Sequence, residues 1–334
     1  MPKRLEVGRS GWRTSAKHNM LNKLVGEEAG AIKHVPRAPR RLVWYDLTAG
    51  DAKVPGGEDW HRNCSPGIFA YHAAQSTVPV EVRLYEINSE TYRHLLFNLN
   101  RQLPRWGFAP EGTGCWRSPR ATIQALNCSG ADASVDRLLS TDAVFAVNDP
   151  NAITDWAMRR SFSQEISDLG VTFFRTLTTM GCNANGLKRG KDTRPARIEC
   201  FNYVEAAKRT LPRQRDLCFA AILRDDAQWA YLIETSEKWR NRTTIAVQRA
   251  FRQHGRDASV TWSKLDGDGQ FRGEMLRLFL TKAEREGIRG QEEAWLAATA
   301  AQRIMLLAKY EDTPVPPKPE QMSFWLGDEE EFTA

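Results

Sequence analysis

Across its 334 residues the chain has no apolar run near the roughly 18 that a membrane-spanning helix needs. Its start, Met1-Pro2-Lys3-Arg4, lacks the apolar core of a signal peptide, which predicts a cytoplasmic protein with no membrane contact. Cysteine is sparse: Cys64, Cys115, Cys128, Cys182, Cys200 and Cys218 never form a C-x-x-C pair, and a chain of this length needs no disulfide frame, so reduced thiols are expected. The six histidines show no metal-ligand spacing, and neither H-E-x-x-H nor a nucleophile elbow occurs. A glycine-rich stretch, Asp266-Gly267-Asp268-Gly269, would put Lys264 and Met275 at the ends of a calcium loop where carboxylates belong, and reads as a turn. No internal repeat is visible. Charge of one sign is also scarce: 47 Lys plus Arg against 41 Asp plus Glu leave +6. Because Asp328 to Glu331 concentrates acid near the end, the remainder is more basic than that total, which permits binding to a polyanion.

What is present is alternation. Strand-length apolar runs at Leu42 to Leu47, Val80 to Ile87, Ala121 to Asn127, Ala143 to Asn148 and Val171 to Thr176 are separated by segments of helical period at Gly67 to Ala74, Ser89 to Asn100, Ala133 to Leu139 and Ile153 to Leu169. That order predicts a mostly parallel sheet wrapped by helices. Two further runs, Asp216 to Leu223 and Trp229 to Glu234, are joined by a connection short enough only for antiparallel strands. Five alternating strands and a terminal hairpin form the α/β, Rossmann-like plan of class I methyltransferases: a mostly parallel seven-stranded sheet ending in an antiparallel hairpin. Around this domain, at 41–255, the sequence places a basic N-terminal arm at 1–40, a basic insert at 181–198, a helical appendage at 256–312, and a proline linker with an acidic tail at 313–334. Helical period in the appendage covers Glu274 to Glu286 and Gln291 to Tyr310.

Carboxylates fall at the ends of the predicted strands. The first strand leads into Asp46-Leu47-Thr48-Ala49-Gly50, a turn of small residues that lets a ligand approach the backbone. Glu86 ends the second strand, where a carboxylate accepts hydrogen bonds from a ribose diol. Asp132 follows the third, placed to receive an adenine amino group, with Asp136 and Asp142 as nearby alternatives; Asp149 follows the fourth, as an active-site group or a helix cap.

These pieces resemble the three-Cys-motif partner family of S-adenosylmethionine-dependent methyltransferases. Asp46 to Gly50 is similar to that family's D-L-F-A-G-P-G loop, Cys64-Ser65-Pro66 to its G-S-P element at a helix start, and Leu84-Tyr85-Glu86 with Tyr92 and Leu95 to its F-x-E…Y…L segment. Val147-Asn148-Asp149-Pro150 resembles its hydrophobic-D-P motif, and Tyr231-Leu232-Ile233-Glu234-Thr235 its late aromatic strand. The same elements occur in ribosomal adenine-N6 methyltransferases. The resemblance implies S-adenosylmethionine as cofactor, held by Asp46, Thr48, Ala49, Gly50, Ser65, Pro66, Glu86 and Asp132, with Asp149, Pro150 and Asn151 as catalytic residues acting on a nucleic-acid base. Asp51 and Ala52 stand where the family has proline and often glycine, and Ala152 stands where D-P-P-Y motifs carry an aromatic ring, with Trp156 one turn later. A protein or small-molecule methyltransferase, or a catalytically silent binding module, are the alternatives. Lys17-His18 stands where the family often has a basic pair and is expected to be solvated.

Two outlying features bear on partners. Lys188, Arg189, Lys191, Arg194 and Arg197 follow the fifth strand, positioned either as a solvated loop or as a grip on DNA or RNA phosphates. In the tail, Gln321-Met322-Ser323-Phe324-Trp325 resembles the peptides that hold the bacterial sliding clamp, Gln321, Phe324 and Trp325 being the anchors; the alternative is that both rings fold back on the protein's own surface.

Overall fold

A computed structural model describes residues 12–31, 39–54, 60–149, 161–182, 194–213, 215–222, 228–253, 259–264 and 269–310. The chain divides into two compact units, Met1–Phe279 and Leu280–Ala334.

In the first unit, β1 (Arg41–Asp46), β2 (Val80–Tyr85), β3 (Ala109–Gly112), β4 (Cys115–Arg117), β5 (Ala121–Leu126), β6 (Asp142–Asn148), β7 (Phe173–Cys182), β8 (Arg215–Ile222), β9 (Gln228–Ser236) and β10 (Ser259–Trp262) form one ten-stranded sheet, ordered β10-β8-β9-β7-β6-β1-β2-β5-β4-β3. The five central strands β5, β2, β1, β6 and β7 are parallel. Strand β9 runs antiparallel between β7 and β8. This is the class I methyltransferase order, with the β3–β4 hairpin added at one edge and β10 at the other. The chain runs outward from β1 through β2 and β5, then returns to place β6 on β1's other side. The order therefore reverses between β1 and β6, and the crevice there, at the strands' carboxyl ends, is the ligand position of such sheets.

Both faces are covered, which explains why the strands read as near-continuous apolar runs. Leu42, Trp44, Val82, Leu84 and Phe145 pack on one side, and Val43, Tyr45, Val144 and Ala146 on the other with Phe162, Ile166 and Phe174. The first side is covered by α1 (Trp12–Ala31), the short α2 (Trp60–Asn63) and α3 (Ser65–Gln75), with α4 (Ser89–Gln102) packing on β5. On the other side α5 (Phe162–Asp168) contributes Phe162 and Ile166. Further along the chain come α6 (Arg194–Arg209), α7 (Arg240–Arg252) and α8 (Gly269–Phe279).

Several expectations are corrected. The N-terminal arm is not an appendage over 12–31: Met20, Leu21, Leu24 and Val25 recur at helical spacing and are 0–2% exposed, so α1 is core. It is fastened by Arg175 on β7, whose Nη1 donates to the Leu24 carbonyl at 3.2 Å. The sheet-bearing unit continues past residue 255, because β10 pairs with β8 and α8 packs on β8, β9 and β10. The segment Ala133 to Leu139 is not a helix. Its Ser134 carbonyl accepts from the Tyr45 hydroxyl at 3.1 Å and Arg83 Nη1 at 3.0 Å, and Ala133 and Val135 are buried in extended alternation. Of the expected helix Ile153 to Leu169, the described part is Phe162–Asp168.

The second unit's described residues form α9 (Lys282–Gly287), α10 (Glu292–Ala297) and α11 (Ala300–Leu307). The single helix expected from Gln291 to Tyr310 is broken because Thr299 starts a new one, its side chain exchanging hydrogen bonds with Gln302 in a capping box.

Leu24→Ala should cost about 2–5 kcal/mol in urea unfolding, as for a large-to-small change in a closed core. A loss within about 0.5 kcal/mol, typical of a surface site, would show that α1 is not part of the core.

Candidate active site at the sheet's carboxyl edge

The turn after β1 is built by exchange with its neighbours. The Leu47 amide donates to the Val147 carbonyl at 2.9 Å and the Ala49 amide to the Tyr85 carbonyl at 2.9 Å, so the chain leaves the sheet between β6 and β2. Gly50 then takes φ +65°, and Ala52 takes φ +50° where a glycine would sit without strain. Ala52 is held there by Trp60, whose indole donates to its carbonyl at 2.8 Å. A second close approach fixes the turn from the other side: a Cβ on Gly130 would lie 2.4 Å from the Leu47 carbonyl.

Three carboxylates meet this edge, each in a different electrostatic state. Asp46 is fully buried. Burial pushes its carboxyl up to about 7, against smaller opposing pulls from the Ser65 hydroxyl and the Thr48 amide. Thr48 N donates to Oδ1 at 3.3 Å, whereas Oδ2 has no hydrogen-bond partner of good geometry among the described residues. Glu86 is half-buried and spans the turn: Oε2 accepts from the Gly50 amide at 3.1 Å and Oε1 from the Asn88 amide at 2.8 Å. Its carboxyl is also raised, by burial, with those two amides opposing the shift.

Asp149 lies beyond β6 and is tied to the same turn, its amide donating to Thr48 Oγ1 at 2.8 Å. Lys17 from α1 donates to Oδ2 and Thr179 from β7 to Oδ1. Burial raises this carboxyl too, but the Lys17 charge, the two hydrogen bonds and nearby His18 outweigh it, leaving Asp149 below the usual carboxylate range. Beside the pair, burial first and the Lys17 charge second push His18 down to about 3, so it stays neutral.

The structure therefore brings together Asp46, Thr48, Ala49, Gly50, Ser65, Glu86 and Asp149. Ser65 and Pro66 open α3 as expected, Pro66 in its first turn. Asp132 stands exposed at the end of the Gly130–Asp132 turn that presses on Leu47. Pro150, Asn151, Lys188, Arg189, Lys191, Gln321, Phe324 and Trp325 lie outside the described residues.

Two readings change. Arg197 is 4% exposed and its Nη1 donates to the Phe279 carbonyl at 2.7 Å, so it fixes α6 to the end of α8 and is not presented to a phosphate. Arg194 begins α6, partly buried. Lys17-His18 is not a solvated pair: Lys17 is Asp149's counter-ion. Lys17 was detectable, since it lies one turn before Met20 and Leu21 on the face that α1 buries. Thr179 escaped notice because β7 continues past the apolar run that marks its start.

No family model and no curated protein matches the chain. Among solved structures it is similar to a protein of Listeria monocytogenes described as a class I S-adenosylmethionine-dependent methyltransferase, with 10% identity and a TM-score of 0.37 over 65% of this chain and 59% of that one. It is also similar to the METTL16 methyltransferase domain, with 10% identity and a TM-score of 0.32 over 64% and 65%. A third, from Clostridium thermocellum and described as an rRNA-methylase, shows 9% identity and a TM-score of 0.34 over 64% and 96%. The match covers less than two thirds of the first two of these chains. The fold assignment rests on the strand order above.

The ion pair generates a titration test. With its folded pKa depressed, Asp149 contributes stability that is present above its ordinary value of 3.8 and lost as pH falls through the folded value. In Lys17→Met burial acts with less opposition, so the Asp149 carboxyl resonance should titrate at higher pH than in the wild type, followed by carbon-13 NMR. An unchanged titration would show that Lys17 does not pair with it.

Proposed function

We propose that the chain is a class I methyltransferase that uses S-adenosylmethionine to methylate a nitrogen of a nucleic-acid base, adenine N6 being the leading candidate, and that its resemblance to the three-Cys-motif partner family reflects kinship. The observation that carries this reading is the buried Asp46 carboxyl, whose Oδ2 has no hydrogen-bond partner of good geometry among the described residues, set at the order-reversal crevice on the turn that Glu86 and Asp149 also bond.

The residues present fit the cofactor's chemistry. A buried carboxylate with no counter-ion among the described residues and spare acceptor capacity suits the ammonium of an amino-acid moiety. Glu86 uses one lone pair on each oxygen for the Gly50 and Asn88 amides, leaving capacity for ribose hydroxyls. Thr48, Ala49 and Gly50 provide close backbone approach, Ser65 opens α3 within reach of Asp46, Pro66 follows it, and the exposed Asp132 would take an adenine amino group. When bound, S-adenosylmethionine supplies a methyl group already activated on a sulfonium, so alignment and exclusion of water are the protein's main tasks.

Asp149 performs the acceptor's part of the work. Kept ionised by Lys17, it accepts a hydrogen bond from an acceptor N–H and stabilises the positive charge that develops on a neutral nitrogen during transfer. Both of its oxygens already accept from Lys17 and Thr179, so the acceptor takes a remaining lone pair. Thr48 couples the two halves, joining the cofactor turn to the Asp149 backbone.

Transfer of label from S-adenosylmethionine to RNA, DNA and protein pools tests the assignment. Incorporation into nucleic acid is expected, with Asp149→Ala lowering it about 100-fold or more, the scale of losing a preorganised electrostatic partner. Incorporation only into protein would refute the base acceptor; none, from a protein that binds cofactor, would identify a silent binding module.

A further inference from the structure

Beyond the cofactor edge, a groove of about 850 Å³ runs between the segment after the β1 turn and one face of α4. Its lining includes Lys53, Glu90, Arg93, His94, Phe97 and Arg101; the helical residues recur every three or four positions and so form one stripe. The two walls are fastened together, since Asn98 Nδ2 donates to the Asp51 carbonyl at 2.8 Å. Phe97 is 62% exposed in this groove, and the Arg101 guanidinium lies 5.8 Å from its ring centroid. Lys53, Arg93 and Arg101 enter no ion pair among the described residues.

We infer that this groove binds single-stranded RNA. Each nucleotide offers a π-face and a phosphate, and the stripe offers an exposed ring flanked by cations, the combination by which proteins hold single strands. An acidic peptide would satisfy the cations but leave the ring without a stacking partner. Glu90 repels phosphate and accepts from a hydroxyl, which favours RNA, whose 2′-OH distinguishes it from DNA. Lys53 lies just past Gly50, so a strand in the groove passes beside the cofactor turn. The inference rests on the nucleic-acid reading for its role in methyl transfer, although the binding itself does not require catalysis.

Fluorescence anisotropy of the full-length protein without cofactor, using a labelled single-stranded RNA, the same sequence as DNA and a polyglutamate peptide, tests it. RNA should bind most tightly. The Arg93→Gln/Arg101→Gln variant should reduce the steepness of the salt dependence by about 1.4, from about 0.7 per phosphate contact on a single strand. Phe97→Ala should weaken binding about tenfold with the salt dependence unchanged, and Phe97→Trp should restore it. All these side chains are exposed, and the melting temperature of each variant checks its folding. Equal binding of DNA would overturn the RNA assignment; tightest binding of polyglutamate, insensitive to Phe97→Ala, would assign the groove to acidic peptide. Wild-type affinity for RNA in both variants would remove the site altogether. Methyl transfer to nucleic acid with such unaltered binding would sink the groove and leave the proposed function standing, whereas groove-dependent binding without transfer would do the reverse.

Discussion

Three carboxylates meet at one sheet edge, where burial opposes ionisation of each, and each is accommodated by a different means. Asp46, fully buried, is pushed towards keeping its proton by desolvation, with the Asp149 charge adding to the shift. Glu86 is compensated by two backbone amides. Asp149 receives a full counter-charge from Lys17. The proposed roles need this difference: an ionised Asp149 can stabilise a developing cation, and an Asp46 without a counter-ion keeps its charge for a ligand's ammonium. The divergence of these environments is what marks the edge as a candidate site and not merely three strand-end residues.

The counter-charge depends on a helix outside the alternating pattern. Met20, Leu21, Leu24 and Val25 bury one face of α1 against α3 and α7, and the same face carries Lys17 towards Asp149. Arg175 adds a bond to the Leu24 carbonyl, and burial pushes Glu28, on the same face, up to about 7, with the Arg175 charge opposing. Core packing and the electrostatics of the candidate site are therefore linked through one element. Loosening α1 exposes apolar surface and also removes the cation that keeps Asp149 ionised.

How much was readable in advance follows from the same physics. The central strands were legible because burial on both faces makes them short apolar runs, and the β8–β9 hairpin because its connection is too short for a crossover. Asp46, Glu86 and Asp149 were legible as strand-end carboxylates. Strand β3, Ala-Pro-Glu-Gly, is exposed at every position and carries no periodic signal. Ala133 to Leu139 carries a helix-like composition, but its geometry is decided by Tyr45 and Arg83, distant in sequence. Arg197 illustrates the limit of reading charge as exposure: its guanidinium lies buried on a helix-end carbonyl, a partner that composition could not identify.

The central claim is that this edge holds S-adenosylmethionine, and calorimetry with S-adenosylhomocysteine examines it without requiring an acceptor. One molecule should bind per chain, more tightly at about pH 8 than at about pH 6, because Asp46 becomes available as an anion while the ligand's ammonium stays charged. Glu86→Ala should lower the affinity at least about tenfold, the equivalent of losing one charge-assisted hydrogen bond. A folded protein that binds no S-adenosylhomocysteine, or a Glu86→Ala variant with wild-type affinity, would contradict the account.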